Sequence, residues 1–522
     1  MKNVFTMLVW VLTVGVCPAA PRVATIFGDH MVLQRDQPVP VWGWAEPDEE
    51  VRVSFAGQEL KAVTAATGKW TVTLEAMTAS KDPREMTIAG GGTEKPVVLS
   101  DILVGDVWIC SGQSNMEWPL QAATQGKEEV AAANYPHLRH IKIGGGTSPV
   151  PLPDIQGTWQ VCTPQTAGGF TAVGYFFARY LQKELDVPMG LMGSNWGGTM
   201  IEPWTPPVGF RQVPELKAIS EGIDATDPTT EAGRALHLKL IADIKVWIPE
   251  AEQAIERGEA PRPAPALPVL ASGTDGATQI FNTRIHPLIP FGIRGAIWYQ
   301  GESNGGEGEI YYHKMRALIS GWRTLWNDEF PFYFVQLANF GGANNIPAGG
   351  DGYAKVREAQ RRSLSIPKTG MAVIIDIGEA GNIHPANKQD VGARLALWAL
   401  ANEYEQKGLV HSGPLYKRHT VEDGSIRIEF DHVEGGLMVG KKVGLEPVVE
   451  VEEGTLERFA VAGKDKVWQW ADAVIEDDAV LVSCPAVPVP VAVRYAFSHN
   501  PQGCNLYNTE GVPASPFRTD DW

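Results

Sequence analysis

Cysteine is scarce, with five in 522 residues, and none is spaced C-x-x-C. That excludes a disulfide framework and the common structural zinc sites. No H-E-x-x-H occurs and the eleven histidines are scattered, so neither a metal nor any other cofactor is indicated. Lysine and arginine never run longer than a pair, against a formal charge of −17. A nucleic-acid partner would leave a basic stripe, so that class is excluded, and an anionic membrane surface is disfavoured for the same reason. Past the N-terminus, no segment reaches the roughly 18 apolar residues needed to cross a bilayer.

The N-terminus itself, MKNVFTMLVWVLTVGVCPAAPR, has a lysine, an apolar run from Val4 to Val16 and the small residues Pro18, Ala19 and Ala20. This is a signal-peptide pattern with cleavage near Ala19 or Ala20, and it predicts export to the periplasm or exterior. Cys17 does not make a lipobox, because Val16 before it is too large. Of the remaining cysteines, Cys484 and Cys504 are the pair an oxidising compartment permits to bridge.

Composition is that of a globular protein, 44% hydrophobic, with 55 glycines, 38 prolines and 17 tryptophans. The length predicts more than one domain. Residues 21–103 read as short alternating strands (VPVWGWAEP, EEVRVSFAG, KWTVTLEAM, REMTIAGGG), a small antiparallel β-sandwich. Residues 104–411 change character. Continuous apolar strands (DILVGDVWIC, PMGLMGSN, IRGAIWYQ, PFYFVQLANF, GMAVIIDIG) alternate with amphipathic helices such as TAVGYFFARYLQKEL and IYYHKMRALISGWRTLW. That alternation predicts an α/β unit with a parallel sheet. Residues 205–277 interrupt it as a helical, then proline-rich insertion flanking the cleft. Residues 412–522 return to β-rich text.

In open α/β sheets ligands bind at the carboxyl ends of the strands. There the sequence places Ser114 in GQSN, Gly197 and Gly198 in NWGGT, Gln300, Glu302 and Asn304 in YQGESN, and Asp376 through to His384 in DIGEAGNIHP. Acyl transfer needs a serine, an imidazole to take its proton, a group to orient that imidazole and donors aimed at the oxyanion. Taken alone, Ser114 fits a helix N-cap as well as a nucleophile, His384 fits a loop histidine and the glycines fit a tight turn. Their joint occurrence on one rim favours catalysis.

SGQSNMEWP, NWGGTMIEPW, WYQGESN and IHPANK, in this order, resemble the sialate O-acetylesterases of the SGNH/GDSL-type hydrolases, allied to carbohydrate esterases of family 6. The likeness continues into the closing text VRYAFSHNPQGCNLYNTEGVPASPFRTDDW. It implies a flavodoxin-like three-layer core flanked by β-rich regions, and a metal-free serine esterase acting on an acetylated sugar or glycan. By position, Ser114 matches the nucleophile and His384 the base, while Gly198 contributes an oxyanion-hole N–H beside that of Ser114. Gln300 stands where the wider superfamily has an oxyanion-hole asparagine. The superfamily's D-x-x-H acid is missing, because Gly381 occupies its position. Glu302 is the favoured replacement, Asp376 and Glu379 are alternatives, and a dyad steadied by a main-chain carbonyl is a further one. Asn115, Trp118 and Trp196 are expected to line the cleft.

Three other readings compete. One keeps the chemistry with acetylated xylan as substrate. One is a glycosidase pairing Glu302 with Glu307 or Glu309. The last is a non-catalytic carbohydrate-binding protein built on the flanking β regions and tryptophans. Nothing in the sequence speaks to oligomeric state.

Overall fold

The computed structural model describes residues 21–91, 95–266 and 276–522. The proposed signal peptide and residues 267–275 of the insertion lie outside them. The chain is a mixed α/β protein with one large mixed sheet and β-rich flanks.

The N-terminal strands pair antiparallel: Val39–Trp44 with Lys69–Leu74, and Glu50–Phe55 with both Gln58–Val63 and Ser80–Gly90. The next strand, β1 (Val97–Gly112), is 16 residues long and has two jobs. Its first half pairs with Ser80–Gly90 and with Val32–Gln34, and its second half is the central strand of the α/β sheet. The expected boundary at 103/104 therefore falls inside a continuous strand.

After β1 come a one-turn helix α1 (Ser114–Glu117), β2 (Tyr135–Lys142), β3 (Trp159–Cys162), α2 (Ala172–Leu185) and β4 (Met189–Asn195). The insertion follows, dominated by α3 (Glu231–Glu256). Then come β5 (Gly295–Tyr299), α4 (Ile310–Trp326), β6 (Phe332–Val335), α5 (Ala354–Arg362), β7 (Thr369–Ala372) and α6 (Lys388–Asn402). The sheet order is β3-β2-β4-β1-β5-β6-β7, parallel except for the edge strand β3. β2 escapes a periodicity reading because it carries polar residues into the core, and β3 because it is only four residues long. In β2, Arg139 is buried against Asp101, and His140 is buried on the Phe170 ring.

Helices cover both faces. On one, Trp108 of β1 and Tyr333 of β6 meet Phe177 of α2 and Trp398 of α6. On the other, Trp298 of β5 and Phe332 of β6 meet Trp322 of α4. Trp108, Trp298 and Trp322 are fully buried, and truncating a core tryptophan costs about 3–5 kcal/mol. Caps set where the helices begin: Thr171 accepts from Gly174 N–H at the head of α2, and Asn387 from Asp390 N–H at the head of α6.

The C-terminal region forms two antiparallel four-stranded sheets and one three-stranded sheet around a core of its own, including Ile426, Ile428, Val461, Val493 and Phe517. It is tied to the α/β unit by polar contacts. Arg357, fully buried, donates to the carbonyls of Leu337 and Ala338 after β6 and of Ser498 and His499 near the C-terminus. Cys484 and Cys504 are free thiols, so the permitted bridge is not formed. Among the described residues, no helix is long and apolar enough to cross a membrane.

Candidate active site

Because the strands are parallel, the segments after β1, β4, β5 and β7 emerge on one edge of the sheet. Gly112, the last residue of β1, lies in register between Asn195 and Tyr299. Its φ is +137°, and a Cβ there would sit 2.1 Å from the Tyr299 carbonyl oxygen, so only glycine fits this exit from the sheet. The chain then turns into α1, with Gln113 at the cap position and Ser114 the first helical residue. Ser114 makes no capping bond. Its Oγ lies 2.8 Å from Nε2 of His384, 270 residues away in sequence. That is hydrogen-bond distance, the geometry that activates a serine.

His384 is half-buried and held from three sides. Trp118 stacks on its ring at 5.0 Å and 20°. Its main-chain N–H donates to Asn382 Oδ1 (2.9 Å), and its carbonyl accepts from Asn382 Nδ2 (2.8 Å). Glu379 organises the same loop, accepting from Ala386 N–H at 2.7 Å and from Asn382 Nδ2 at 3.3 Å. Burial, then the positive charge of Lys388, lower the His384 pKa below the ordinary histidine value.

No carboxylate pairs with either nitrogen of the His384 ring among the described residues. This corrects the expected acid. Gly301, at φ +152°, and the 3-10 turn Glu302–Asn304 deliver Glu302 to Asn115 instead, whose Nδ2 donates to Glu302 Oε1 at 2.5 Å. The other oxygen, Oε2, is buried without a partner, and burial raises the carboxyl pKa. Asp376 does not serve either: it takes two hydrogen bonds from Arg394 (2.6 and 2.8 Å) and one from the Tyr507 hydroxyl (3.4 Å).

Gln300 is a second correction. Its Nε2 donates to Thr199 O (3.1 Å) and Asn304 Oδ1 (2.7 Å), while Oε1 accepts from Tyr311 Oη (2.7 Å). An amide with both hydrogens spent has none for an oxyanion. Gln300 is fully buried and braces the β5 exit instead. Asn304 completes that brace, donating to Glu202 and Glu307, which Lys314 neutralises.

The glycine turn after β4 sits directly against the serine. A Cβ on Gly197 would stand 3.2 Å from Ser114 Cβ, and Gly197 N–H donates to Glu117 Oε2 at 2.8 Å. Gly198, exposed at φ +76°, faces open space. Among the described residues, neither its N–H nor that of Ser114 has a partner. Trp196 lies under the Arg284 guanidinium at 4.3 Å, and Arg284 also donates to the carbonyls of Ile143, Gly145 and Asn195.

Sequence reasoning missed Lys388, which is fully buried and donates to Asn115 Oδ1 at 2.5 Å. A signal was present, because Lys388 lies on the helical stripe of Val391, Leu395 and Ala399, all core residues. It also missed Asn382 and the role of Gln113, whose Oε1 accepts from Ser303 N–H at 3.3 Å. Short polar residues in turns carry no periodic signal. Among the described residues, no group of three or more His, Cys, Asp or Glu is arranged to hold a metal ion.

A serine–imidazole pair at the carboxyl edge of a parallel sheet is an arrangement ester hydrolases use, and comparison with known proteins makes this chain a hydrolase of the carbohydrate-esterase class. Residues 280–400 match the family model of the carbohydrate esterases described as sialic acid-specific acetylesterases. The chain is 30% identical to the sialate O-acetylesterase of Rattus norvegicus, over 95% of this chain and 94% of that one. It is also 30% identical to that of Homo sapiens, over 95% and 92%. The crystal structure of a carbohydrate acetylesterase from Xanthomonas citri superposes with a TM-score of 0.79 at 37% identity, covering 96% of this chain and all of that one. The chain belongs to the sialate O-acetylesterase family.

Proposed function

We propose that this esterase removes O-acetyl groups from carbohydrate by a Ser–His acyl-enzyme mechanism on a flavodoxin-like, SGNH-type core. The observation that carries the reading is the 2.8 Å approach of Ser114 Oγ to His384 Nε2. His384 takes the hydroxyl proton as Oγ attacks the acetyl carbonyl carbon. The tetrahedral oxyanion accepts from the N–H groups of Ser114 and Gly198, where loss of one donor typically costs about 3–4 kcal/mol of barrier. Collapse expels the sugar oxygen, which takes the proton from His384. Water, deprotonated by the same imidazole, then releases acetate from the acetyl-serine. With no carboxylate on the ring, orientation falls to Trp118 and to the loop bonds of Asn382 and Glu379. Trp118, stacked on the imidazole, and Trp196, just before the glycine turn that sits against Ser114, are the cleft-lining candidates.

Ser114→Ala should reduce hydrolysis of nitrophenyl acetate to background with the circular dichroism spectrum and melting point unchanged, and a fluorophosphonate should label Ser114 alone in the parent. Activity surviving in the mutant would sink the assignment. The glycosidase reading loses its acids, since Glu307 is paired with Lys314 and Glu309 with Arg362 and Arg518.

The substrate of first choice is an O-acetylated sialic acid. One observation favours neutral acetylated polysaccharide as a second reading. The cations at the rim, Arg284 and Lys142, are already engaged, Arg284 by three carbonyls and Lys142 by Glu117. A sialate carboxylate would find neither unpaired. Acetate release from 9-O-acetyl sialic acid and from acetyl-xylan, measured side by side, decides between them.

A further inference from the structure

Glu302, Asn115 and Lys388 form a buried polar chain that the acyl-transfer steps do not use. Asn115 follows the nucleophile, and its side-chain amide is saturated. Oδ1 accepts from Lys388 Nζ (2.5 Å), and Nδ2 donates to Glu302 Oε1 (2.5 Å) and to the carbonyl of Ile383 (3.0 Å), the residue before His384. One amide thus ties the serine's turn to the histidine's loop. A fully buried lysine at the first turn of a helix is costly twice over. Its charge is stripped of water, and it opposes the positive end of the helix dipole. Its counter-charge, Glu302, does not touch it and acts across Asn115. Stability alone would put an apolar residue there, as the stripe through Val391 and Leu395 does.

Resting on the Ser114–His384 reading, we propose that Lys388 is a positioning residue of the reaction. Through Asn115 it fixes the spacing of nucleophile and base, and it brings a cation rather than a carboxylate to bear on the imidazole. The groups facing the imidazole are Ser114 and the Trp118 ring directly, Lys388 and Glu302 across Asn115, and Glu379 through the loop. The direction of the histidine shift agrees, with burial and Lys388 both lowering it. Burial lowers Lys388 itself to about 7, with Glu302 and Glu379 opposing the shift.

The sign follows. A base with a lowered pKa stays neutral to lower pH, so the acid limb of kcat/KM in the parent enzyme lies below the ordinary histidine value of about 6.5. Lys388→Met, matched in length and apolar, should lower kcat at least tenfold with KM changed less than about threefold. It should also move the acid limb upward by about half a unit or more. Lys388→Gln keeps a donor for Asn115 and should recover part of kcat while the limb stays raised. If the methionine variant does not fold, judged by circular dichroism, the glutamine variant gives the same comparison of limbs. An acid limb unmoved in the folded variant, with kcat retained, overturns the inference. Ser114→Ala run in parallel separates the two ideas: its inactivity beside an unaltered Lys388 variant leaves the esterase reading standing, whereas its activity removes both.

Discussion

At the level of single atoms, Ser114 is not the cap of its helix: Gln113 holds the cap position, and the Ser114 hydroxyl goes to His384, the contact on which the proposed attack rests. Gly198 offers a test at the same scale. Its surroundings would admit a methyl group, but its φ of +76° is disfavoured for any residue with a Cβ. Gly198→Ala should therefore cost about 1–2 kcal/mol of stability in a melt. It should also lower kcat, by less than the roughly hundredfold that losing an oxyanion donor outright would cost. Ser114, His384 and the glycine pair were legible in the sequence, because strand ends are where apolar runs stop. The partner of Glu302 was not, because the direction of its carboxylate depends on one turn entered through Gly301 at φ +152°. Nor was the commitment of Gln300, whose amide is consumed by Asn304 of its own turn and by Thr199 and Tyr311 from two other segments.

Among the elements, β1 does the most to join the molecule. Its apolar strand text announced the sheet, but nothing in that text marks where one region hands over to the next, because Leu103 and Val104 are as buried as Val107 and Ile109. A chain beginning at residue 104 would lose the half of β1 that pairs with Ser80–Gly90 and Val32–Gln34. It would also bare the apolar residues packed there and leave a cut strand at the sheet's centre. Such a chain should be recovered as aggregate, whereas one beginning at residue 21 should be soluble and active, as fractionation and an esterase assay would show. β5, β6 and β7 were legible as β-branched or aromatic runs. β2 was not, since its buried Arg139 and His140 read as surface until Asp101 and Phe170 are seen against them.

For the molecule as a whole, the C-terminal region is joined to the α/β unit by buried charges. Asp376, a candidate acid by its place in sequence, is one of these joints: it is paired with Arg394 of α6 and reached by Tyr507 from the far region. Asp376→Asn should cost about 3–5 kcal/mol, the usual result of breaking one side of a buried pair. The enzyme that remains folded should keep the parental acid limb. A loss of activity without loss of stability would instead return Asp376 to the reaction. The many contacts that complete the cleft also have a bearing on time. Ser114 waits for a histidine 270 residues further on, and Arg357 waits for His499, 142 residues on. Closing such spans is slow compared with forming any one helix or hairpin. A newly made chain therefore cannot bring Ser114 against its imidazole until about three-quarters of it has been synthesised, so on the proposed mechanism its early segments fold without activity.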